Sequence, residues 1–453
     1  MASQEFHAWR GVFTVRRVLA LACLFAILGI GCTGGGSTQI SSIPSVSGSG
    51  EPVTLKVWSA FTGRQLAQFD HALAMFHKAY PWITVNSSGA IGDQKIIAAI
   101  NSGTPPDAVL SFVPDNVGKF CTSGAFASLN SIIEQDGLDM NQFVPATRSY
   151  TQFDGNQCTL PLMADARGLY YNEDMFRAAG ITGPPQTFSE LTADAKKLTQ
   201  FNPDGSIKVA GFVPWWGYYE DNLAEFAHQW NAQWFDANGN SAAASDPQWA
   251  AMFTWQKDLI DFYGEQNLAK FVAEGQAHEW ASSNDFEIGR TAMAYDGEWR
   301  VAFIEAEHPE LNFGTAPAPV GEGASDMLGS SLIGGNVVGI PRGSAHPAEA
   351  WLLIKYLATN TDVLVYLTNA LKNLPTTTAA LNSPDVQLEP QFKTFFDIFS
   401  NPKSTFSPIL ASGSGYQDPM TSFGASWQAG KVPDLQQGLQ QVAQQTDDML
   451  SLG

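Results

Sequence analysis

Polar residues follow the ends of two predicted strands, where side chains can meet a ligand. Thr62, Gly63 and Arg64 come directly after the first strand and offer backbone N–H groups and a guanidinium. Asp115 and Asn116 follow the third strand in the same way. Open α/β sheets bind ligands beyond the carboxyl ends of their strands, so we expect these residues to contact a polar small molecule. For Asp115 and Asn116, capping of the next helix is the alternative.

Aromatic rings and glycines supply a second kind of candidate. Trp215 and Trp216 follow a strand-like segment, and Tyr416 lies in a glycine-rich loop. Aromatic planes cover the apolar faces of a ring-shaped ligand, while carboxylates and amides bind its polar edges. Core packing is the alternative for each ring, and successive strand residues such as Trp215 and Trp216 cannot both point inward. A close approach of ligand to backbone is expected at Gly334, Gly335 and Asn336.

The elements that position these residues alternate in the α/β manner. Val53–Phe61 predicts a strand, and apolar residues then recur at i, i+4, i+7 and i+11 from Phe69, which predicts one face of a helix. A strand over 82–87, a second helix and a strand over 107–113 complete a βαβαβ start. Further along, Thr187–Glu190 forms a capping box that opens another helix.

The composition describes an ordered, acidic, globular protein. The 453 residues include 24 Lys plus Arg against 44 Asp plus Glu, a formal net charge of -20. At about 150 residues per domain, this length predicts two or three domains. Nucleic acid is excluded as a partner, because phosphate binding requires a basic face. Residues 51–453, which follow the predicted leader and tether, contain no GxSxG, P-loop, GxGxxG or HExxH motif, so we expect a protein that is not an enzyme and has neither metal nor cofactor.

The N-terminal residues predict export. Arg10, Arg16 and Arg17 precede an uncharged apolar run, Val18–Ile30, that is too short to span a bilayer. Basic residues followed by a short apolar core are typical of a secretory signal peptide. We therefore assign residues 1–31 to a signal peptide and exclude them from the folded body.

Cys32 and the residues after it predict a lipid anchor. Small residues before Cys32 resemble a bacterial lipobox, in which the cysteine is diacylated; ordinary cleavage by signal peptidase is the alternative. Residues 32–50 are rich in Gly and Ser and predict a flexible tether. The expected location is the outer face of the cytoplasmic membrane or the periplasm, with membrane contact through the lipid alone because the protein is acidic.

Two cysteines lie in the predicted folded body. Cys121 and Cys158 are expected to form a disulfide, because an exported protein folds in an oxidising compartment. Two buried thiols are the alternative. A zinc site is disfavoured because the sequence has no CxxC motif and its histidines are scattered.

A set of motifs in fixed order carries a family resemblance. The motifs are WSAFTG (58–63), SGTPPDAV (102–109), LPLMADARGLYYNEDMFRAAGI (160–181), QTFSELTADAKKLT (186–199), GRTAMAYDGEWRV (289–301), NFGTAPAP (312–319) and GGNVVGIPRGSAHPAEAWLLIKYL (334–357). Together they resemble extracellular solute-binding proteins of family 1, the maltose-binding-protein-like sugar-binding lipoproteins of ABC importers. The resemblance extends over nearly the whole body after the tether.

The resemblance implies a two-lobed, type II periplasmic-binding-protein-like α/β fold. Its hinge-connected lobes would be discontinuous, with 51–162 plus 316–372 in one and 163–315 plus 373–453 in the other. It also implies a monomer that closes on a carbohydrate, expected to be an oligosaccharide, and presents it to permease subunits. No catalysis is implied.

The same resemblance adds two site residues. Asp165 matches the family's acidic hinge residue, which hydrogen-bonds sugar hydroxyls, and Trp299 in DGEW matches a tryptophan that stacks on a sugar ring. Two other functions stay open at this point. An anionic solute such as glycerol phosphate would need arginines in the cleft, and a secreted glycoside hydrolase would use Asp165 and Glu298 as a carboxylate pair.

Overall fold

The computed structural model describes residues 43–44 and 50–452. The predicted signal peptide, Cys32 and most of the predicted tether lie outside the described residues. Within the described residues, no helix has both the length and the apolar character needed to cross a membrane.

The described body opens with the alternation that the sequence predicts. Its first elements are β1 (Val53–Ser59), α1 (Gly63–Ala79), β2 (Ile83–Ser88), α2 (Asp93–Asn101) and β3 (Ala108–Ser111). The buried face of α1 includes Phe69, Leu73 and Phe76, as the helical spacing requires. Tyr80 lies just past the end of this helix, so the predicted helix is one residue too long.

The middle of the chain builds a second group of helices around a long strand. The elements are α3 (Val117–Thr122), α4 (Asn130–Gln135), α5 (Pro145–Ser149), β4 (Gln152–Phe153), β5 (Asn156–Gln157), β6 (Thr159–Asn172), α6 (Glu173–Ala178), α7 (Phe188–Leu198), β7 (Gln200–Phe201), β8 (Ile207–Val209), α8 (Leu223–Gln229), α9 (Pro247–Tyr263), α10 (Glu265–Gly275), β9 (Met293–Gly297), α11 (Trp299–Glu307) and β10 (Phe313–Ala316). At the start of α7, the Glu190 N–H donates to Thr187 Oγ1 and the Gln186 N–H to Glu190 Oε2. The predicted capping interaction is therefore present, with its return bond one residue earlier than in the standard box.

The last third of the chain packs first against the elements that open the body and then against helices of the middle of the chain. The elements are β11 (Ile333–Gly339), α12 (Pro347–Thr359), α13 (Thr361–Leu371), β12 (Leu374–Pro375), α14 (Thr378–Leu381), α15 (Pro390–Phe399), α16 (Asp418–Gln428) and α17 (Leu435–Leu452). In this segment α12 and α13 pack near α1, and α16 and α17 pack near α9.

One strand, β6, connects two parts of the main sheet. The strand order is β10-β6-β11-β3-β1-β2, with β9 and β12 also paired to β6. Residues 159–166 of β6 pair antiparallel with β11, and residues 167–171 pair antiparallel with β9. Because a single strand supplies both pairings, its middle, near Asp165, lies where the two parts of the sheet meet.

The hydrophobic core is divided in the same way. One cluster contains Leu55, Phe76 and Trp351, and another contains Phe188, Trp249 and many further residues between 169 and 318 together with residues of α16 and α17. A third cluster, which includes Tyr170, lies between strands of both parts. The lobe boundaries given above stay a prediction.

A disulfide supports the first part of the body. The Sγ atoms of Cys121 and Cys158 are 2.04 Å apart and join α3 to the residue that precedes β6. This crosslink fixes the entry of the strand that carries Asp165.

Candidate functional site

A cleft of about 350 Å³ opens beside the middle of β6. Its floor is formed by Asp165 and Arg167 of β6 and by Gly334 of β11. The remaining lining comes from the turn after β3, the residues before and within α8, the start of β11, the 406–407 loop, and α16 with the residue before it. These residues are Phe112, Pro114, Asp115, Trp216, Gly217, Asn222, Leu223, Ala224, Glu225, Leu332, Ile333, Gly335, Phe406, Ser407, Gln417, Thr421 and Ala425. Carboxylates, amides and rings thus face one space.

Asp165 belongs to a cluster of two carboxyl groups bridged by one amide. Asn373 Nδ2 donates to Asp165 Oδ1 at 2.7 Å and to Glu298 Oε1 at 2.9 Å. The backbone N–H of Ala166 donates to Glu298 Oε2 at 2.9 Å. Burial raises the pKa of Asp165 to about 6, although the nearby Arg167 charge opposes this rise. Burial, and then the Asp165 charge, raise the pKa of Glu298 well above its ordinary value.

Arg167 is held by two carboxylates at the floor of the cleft. Its Nε lies 2.7 Å from Glu220 Oε2, and its Nη1 lies 3.0 Å from Glu225 Oε1. The guanidinium also lies over the ring of Trp299, 5.3 Å from its centroid. Burial raises the pKa of Glu225 to about 7, while the charge of Arg167 acts against the rise. The charge of Arg167 is therefore already matched by protein groups.

Asp115 and Asn116 have different environments although they are adjacent. Asp115 lines the cleft, and Gln417 Nε2 lies 3.4 Å from its Oδ1. Burial raises the pKa of Asp115. Asn116 instead donates from Nδ2 to Asp93 Oδ2 at 2.8 Å and makes no side-chain cap at α3. Of this predicted pair, only Asp115 faces the cleft.

The predicted aromatic platforms are also separated by the fold. Trp216 lines the cleft and is 7% exposed, and its Nε1 has no hydrogen-bond partner among the described residues. Trp215 is half-buried against the neighbouring core and does not line the cleft. Tyr416 is fully buried, with its ring 5.2 Å from that of Trp234 and its hydroxyl bonded to Gln417. Tyr416 therefore supports cleft residues from behind.

Trp299 does not line the cleft, although its ring contacts the cleft residue Arg167. Its side chain is 6% exposed and packs 6.2 Å from the ring of Trp280, which is 56% exposed. Arg64 reaches the same aromatic group, with its guanidinium 3.7 Å from the centroid of Phe303. These rings form a second surface, which meets the cleft at Arg167.

The residues at the start of α1 lie with that second surface. Arg64 Nη1 pairs with Glu307 Oε1 at 3.3 Å. Thr62 and Gly63 are exposed, and Gly63 has φ +49°. Neither these two residues nor Arg64 line the cleft.

The glycine segment of β11 allows the two central strands to approach closely. Gly334 pairs with Asp165 in the sheet and lines the cleft. Gly335 has φ +143°, and a Cβ placed there would lie 2.3 Å from the carbonyl oxygen of Met163. Asn336 is buried, and its Oδ1 has no hydrogen-bond partner within the described part of the chain. Both glycines therefore line the cleft, and Gly335 also allows the close approach of β11 to β6.

Several cleft residues are not found by sequence reasoning. Glu225 lies on the first turn of α8, where Asn222 caps the helix by accepting from the Glu225 N–H at 3.0 Å. A capping pattern therefore marks this segment, but it does not indicate a ligand. Asn373 lies next to β12, and only the strand pairing with β6 brings it to Asp165.

The chain is similar in sequence to a known protein family and in structure to solved proteins. A family model described as bacterial extracellular solute-binding protein matches residues 65–363. A solved structure described as CpMnBP1 with mannotriose bound matches with a TM-score of 0.79 at 26% identity. The match covers 87% of this chain and 100% of that chain.

Two curated relatives differ in the ligand that their names give. The maltotriose-binding protein of Pyrococcus abyssi is 22% identical over 293 residues, which are 64% of this chain and 59% of that protein. The sn-glycerol-3-phosphate-binding periplasmic protein of Escherichia coli K12 is 26% identical over 254 residues, 54% of this chain and 56% of that one. The structural match confirms the predicted two-lobed type II fold.

Proposed function

Because the chain belongs to the bacterial extracellular solute-binding protein family, we propose that it captures a neutral carbohydrate between its two lobes and delivers it to the permease of an ABC importer. The observation that carries this proposal is the cleft beside β6, where Asp115, Asp165 and Gln417 lie with Trp216. Carboxylates and amides bind sugar hydroxyls, and the aromatic ring covers an apolar sugar face. Similarity to a protein whose structure contains mannotriose supports the same class of ligand.

The second candidate ligand is a glycerophosphate, favoured by the similarity to the Escherichia coli protein. The charges of the cleft act against it. Arg167 already pairs with Glu220 and Glu225, and a bound phosphate would also face Asp115 and Asp165. Arg300 is buried and pairs with Asp296 and Glu287, so it does not reach an anion either. A neutral ligand avoids this repulsion.

Catalysis by the Asp165 and Glu298 pair has little physical support. Glu298 is fully buried, and its two oxygens accept from Ala166 and Asn373. A glycosidase needs both carboxyl groups to reach the scissile bond. We propose that this pair holds the hinge region in place and that the sugar leaves the protein chemically unchanged.

Export and anchoring complete the proposal. Signal-peptide cleavage after residue 31 and lipidation of Cys32 would keep the folded body near the permease through the tether that ends at residue 50. We expect Cys32→Ala to move the protein from the membrane fraction to the soluble exported fraction. Full retention of Cys32→Ala in the membrane fraction would contradict the lipid anchor.

Thermal unfolding with a ligand panel tests the carbohydrate proposal. Purified protein is melted with mono- and oligosaccharides, with glycerol phosphates and with amino acids. A ligand at 100 times its Kd adds about 2.7 kcal/mol to folded-state stability and raises Tm by several degrees. We expect this rise with a neutral sugar that is recovered unchanged. A rise with glycerol phosphates alone supports the second candidate, and conversion of the sugar overturns the non-enzymatic proposal.

A further inference from the structure

Asn373 lies outside the cleft lining but is placed next to Asp165 by the sheet. It directly precedes β12 and is 5% exposed. Leu374 of β12 pairs antiparallel with Ala164 of β6, the residue before Asp165. Because neighbouring strands in a sheet are less than 5 Å apart, this pairing brings the side chain of Asn373 to the middle of β6.

Lys372 holds the turn that leads from α13 to Asn373. It is 2% exposed and has a left-handed conformation, with φ 59°. Its Nζ lies 2.7 Å from Glu389 Oε2 and 5.4 Å from the centroid of the Phe392 ring. A residue other than glycine keeps this conformation only where its surroundings impose it. The backbone at Asn373 is therefore fixed from both sides, by the turn at Lys372 and by the pairing of β12.

The amide of Asn373 determines which oxygen of Asp165 faces the cleft. Its two N–H groups donate to Asp165 Oδ1 at 2.7 Å and to Glu298 Oε1 at 2.9 Å. The other oxygen of Glu298 accepts from the Ala166 N–H. A Cβ placed on Gly334, which lines the cleft, would lie 3.9 Å from Asp165 Oδ2. Oδ1 is thus held by the protein, and Oδ2 lies on the ligand side.

The surroundings of Asp165 make this amide valuable. Burial raises the pKa of Asp165 to about 6, while the charge of Arg167 and hydrogen bonds with Glu298 and Asn373 act in the opposite direction. Asn373 therefore stabilises the carboxylate without adding a charge to the site. The titratable groups that face Asp165 are Arg167 of β6, Glu298 before α11, Glu220 before α8 and Tyr150 after α5.

We infer that Asn373 is a positioning residue for ligand binding: it holds one oxygen of Asp165 so that the other meets the sugar. This inference rests on the proposed function, because it requires that Asp165 contacts the ligand. The predicted lobe boundary falls between residues 372 and 373, and Asp165 lies near the first predicted crossing. The contact therefore joins the ligand acid to a second crossing of the hinge region.

A double-mutant cycle on sugar affinity tests the inference. Isothermal titration at pH 7 gives the Kd of mannotriose and of maltotriose for the wild type, Asn373→Ala, Asp165→Ala and the double variant. We expect Asn373→Ala to weaken binding about fivefold and Asp165→Ala about tenfold or more. The double variant should bind as weakly as Asp165→Ala and no more weakly, because Asn373 acts through the group that is already removed.

Thr376→Val is the matched control for the structural effect of Asn373→Ala. The Thr376 hydroxyl donates to the carbonyl oxygen of Leu162 at 3.0 Å, so it joins the same two chain segments without contacting Asp165. We expect Thr376→Val to lower Tm and to leave Kd unchanged. Equal losses of affinity in Thr376→Val and Asn373→Ala would assign Asn373 to the fold alone and overturn the inference.

The pH profile of Kd gives a readout that a purely structural role does not move. Wild-type affinity should rise as the pH passes about 6, because Asp165 ionises there and a carboxylate accepts stronger hydrogen bonds. Asn373→Ala should move this rise to higher pH by about one unit, since the amide no longer stabilises the carboxylate. Asp165→Ala should abolish it, which separates Asp165 from the other groups that titrate.

The remaining outcomes separate the inference from the proposed function. If Asn373→Ala binds as the wild type does, or if the two losses multiply in the double variant, the inference is wrong while carbohydrate binding stands. If neither sugar binds the wild type, capture of these two sugar classes is wrong and the inference falls with it. Should Asn373→Ala fail to fold, Asn373→Gln, which keeps the amide on a longer side chain, enters the cycle with the same expected coupling.

Discussion

At the residue scale, the chemistry of the cleft depends on carboxyl groups that are removed from water. Burial raises the pKa of Asp165 to about 6, and the Asn373 amide that bridges Asp165 and Glu298 keeps the two groups together. A carboxyl group with a raised pKa binds more protons in the folded state than in the unfolded state. Its contribution to stability is therefore present below about pH 4 and is lost as the pH rises to about 6.

The variant Asp165→Asn tests this account. An amide does not ionise, so relative to the wild type the variant should gain up to about 3 kcal/mol in unfolding free energy between pH 4 and pH 7. Urea denaturation at the two pH values measures the change. Sugar affinity should fall about tenfold at pH 7, because a carboxylate accepts stronger hydrogen bonds than an amide. An equal stability difference at both pH values would show that Asp165 has an ordinary pKa.

Sequence reasoning finds site residues that follow regular strands and misses those placed by tertiary contacts. Asp115 is predicted because it comes after a strand that ends at the cleft. Glu225 and Asn373 are missed, since helix packing and a two-residue strand bring them there. Tyr416 is predicted to stack on the ligand as an aromatic ring in a glycine-rich loop, but its ring is fully buried and packs against Trp234.

At the element scale, the close contact of β6 with β11 holds the hinge region together. Gly335→Ala would place a Cβ 2.3 Å from the carbonyl oxygen of Met163, at a φ that other residues rarely adopt. We expect this variant to lose about 2–4 kcal/mol of unfolding free energy. Gly183→Ala is the matched control, since nothing lies within 4 Å of its added Cβ. Equal chemical denaturation curves for both variants would contradict the close-contact account.

The disulfide is a second constraint on β6. It closes a loop with a sequence separation of 37, which in the chain-entropy model adds about 4 kcal/mol to stability. We expect the double variant Cys121→Ala, Cys158→Ala to lose roughly this amount in urea denaturation. Sugar affinity should change little, because neither cysteine lines the cleft. A large loss of affinity in the folded variant would show that the crosslink also positions Asp165.

Elements with a strong local pattern are predicted well. The apolar spacing of α1 and the capping residues of α7 depend only on neighbours in sequence, and both helices form. The predicted face from Phe69 lies within α1 except for Tyr80, and α7 begins directly after its predicted cap, Thr187. By contrast, β6 carries a long run without clear alternation, and its partners come from four distant segments. The local pattern of β6 therefore does not predict that the chain passes from one lobe to the other near Asp165. Only the family resemblance predicts this crossing.

At the scale of the whole molecule, the arrangement of the cleft predicts closure on the ligand. Asp115 belongs to the turn after β3 and Trp216 to the segment before α8, so a sugar that contacts both ties the two sides of the cleft together. A ligand shifts an open and closed equilibrium only by its greater affinity for one state. We expect small-angle X-ray scattering to give a smaller radius of gyration at saturating sugar than without it. Asp165→Asn should reach the same final radius at about tenfold higher sugar concentration, because it weakens binding without altering the closed state. An unchanged radius at saturation, with binding verified by titration, would mean that the protein captures its ligand in a cleft that is already closed.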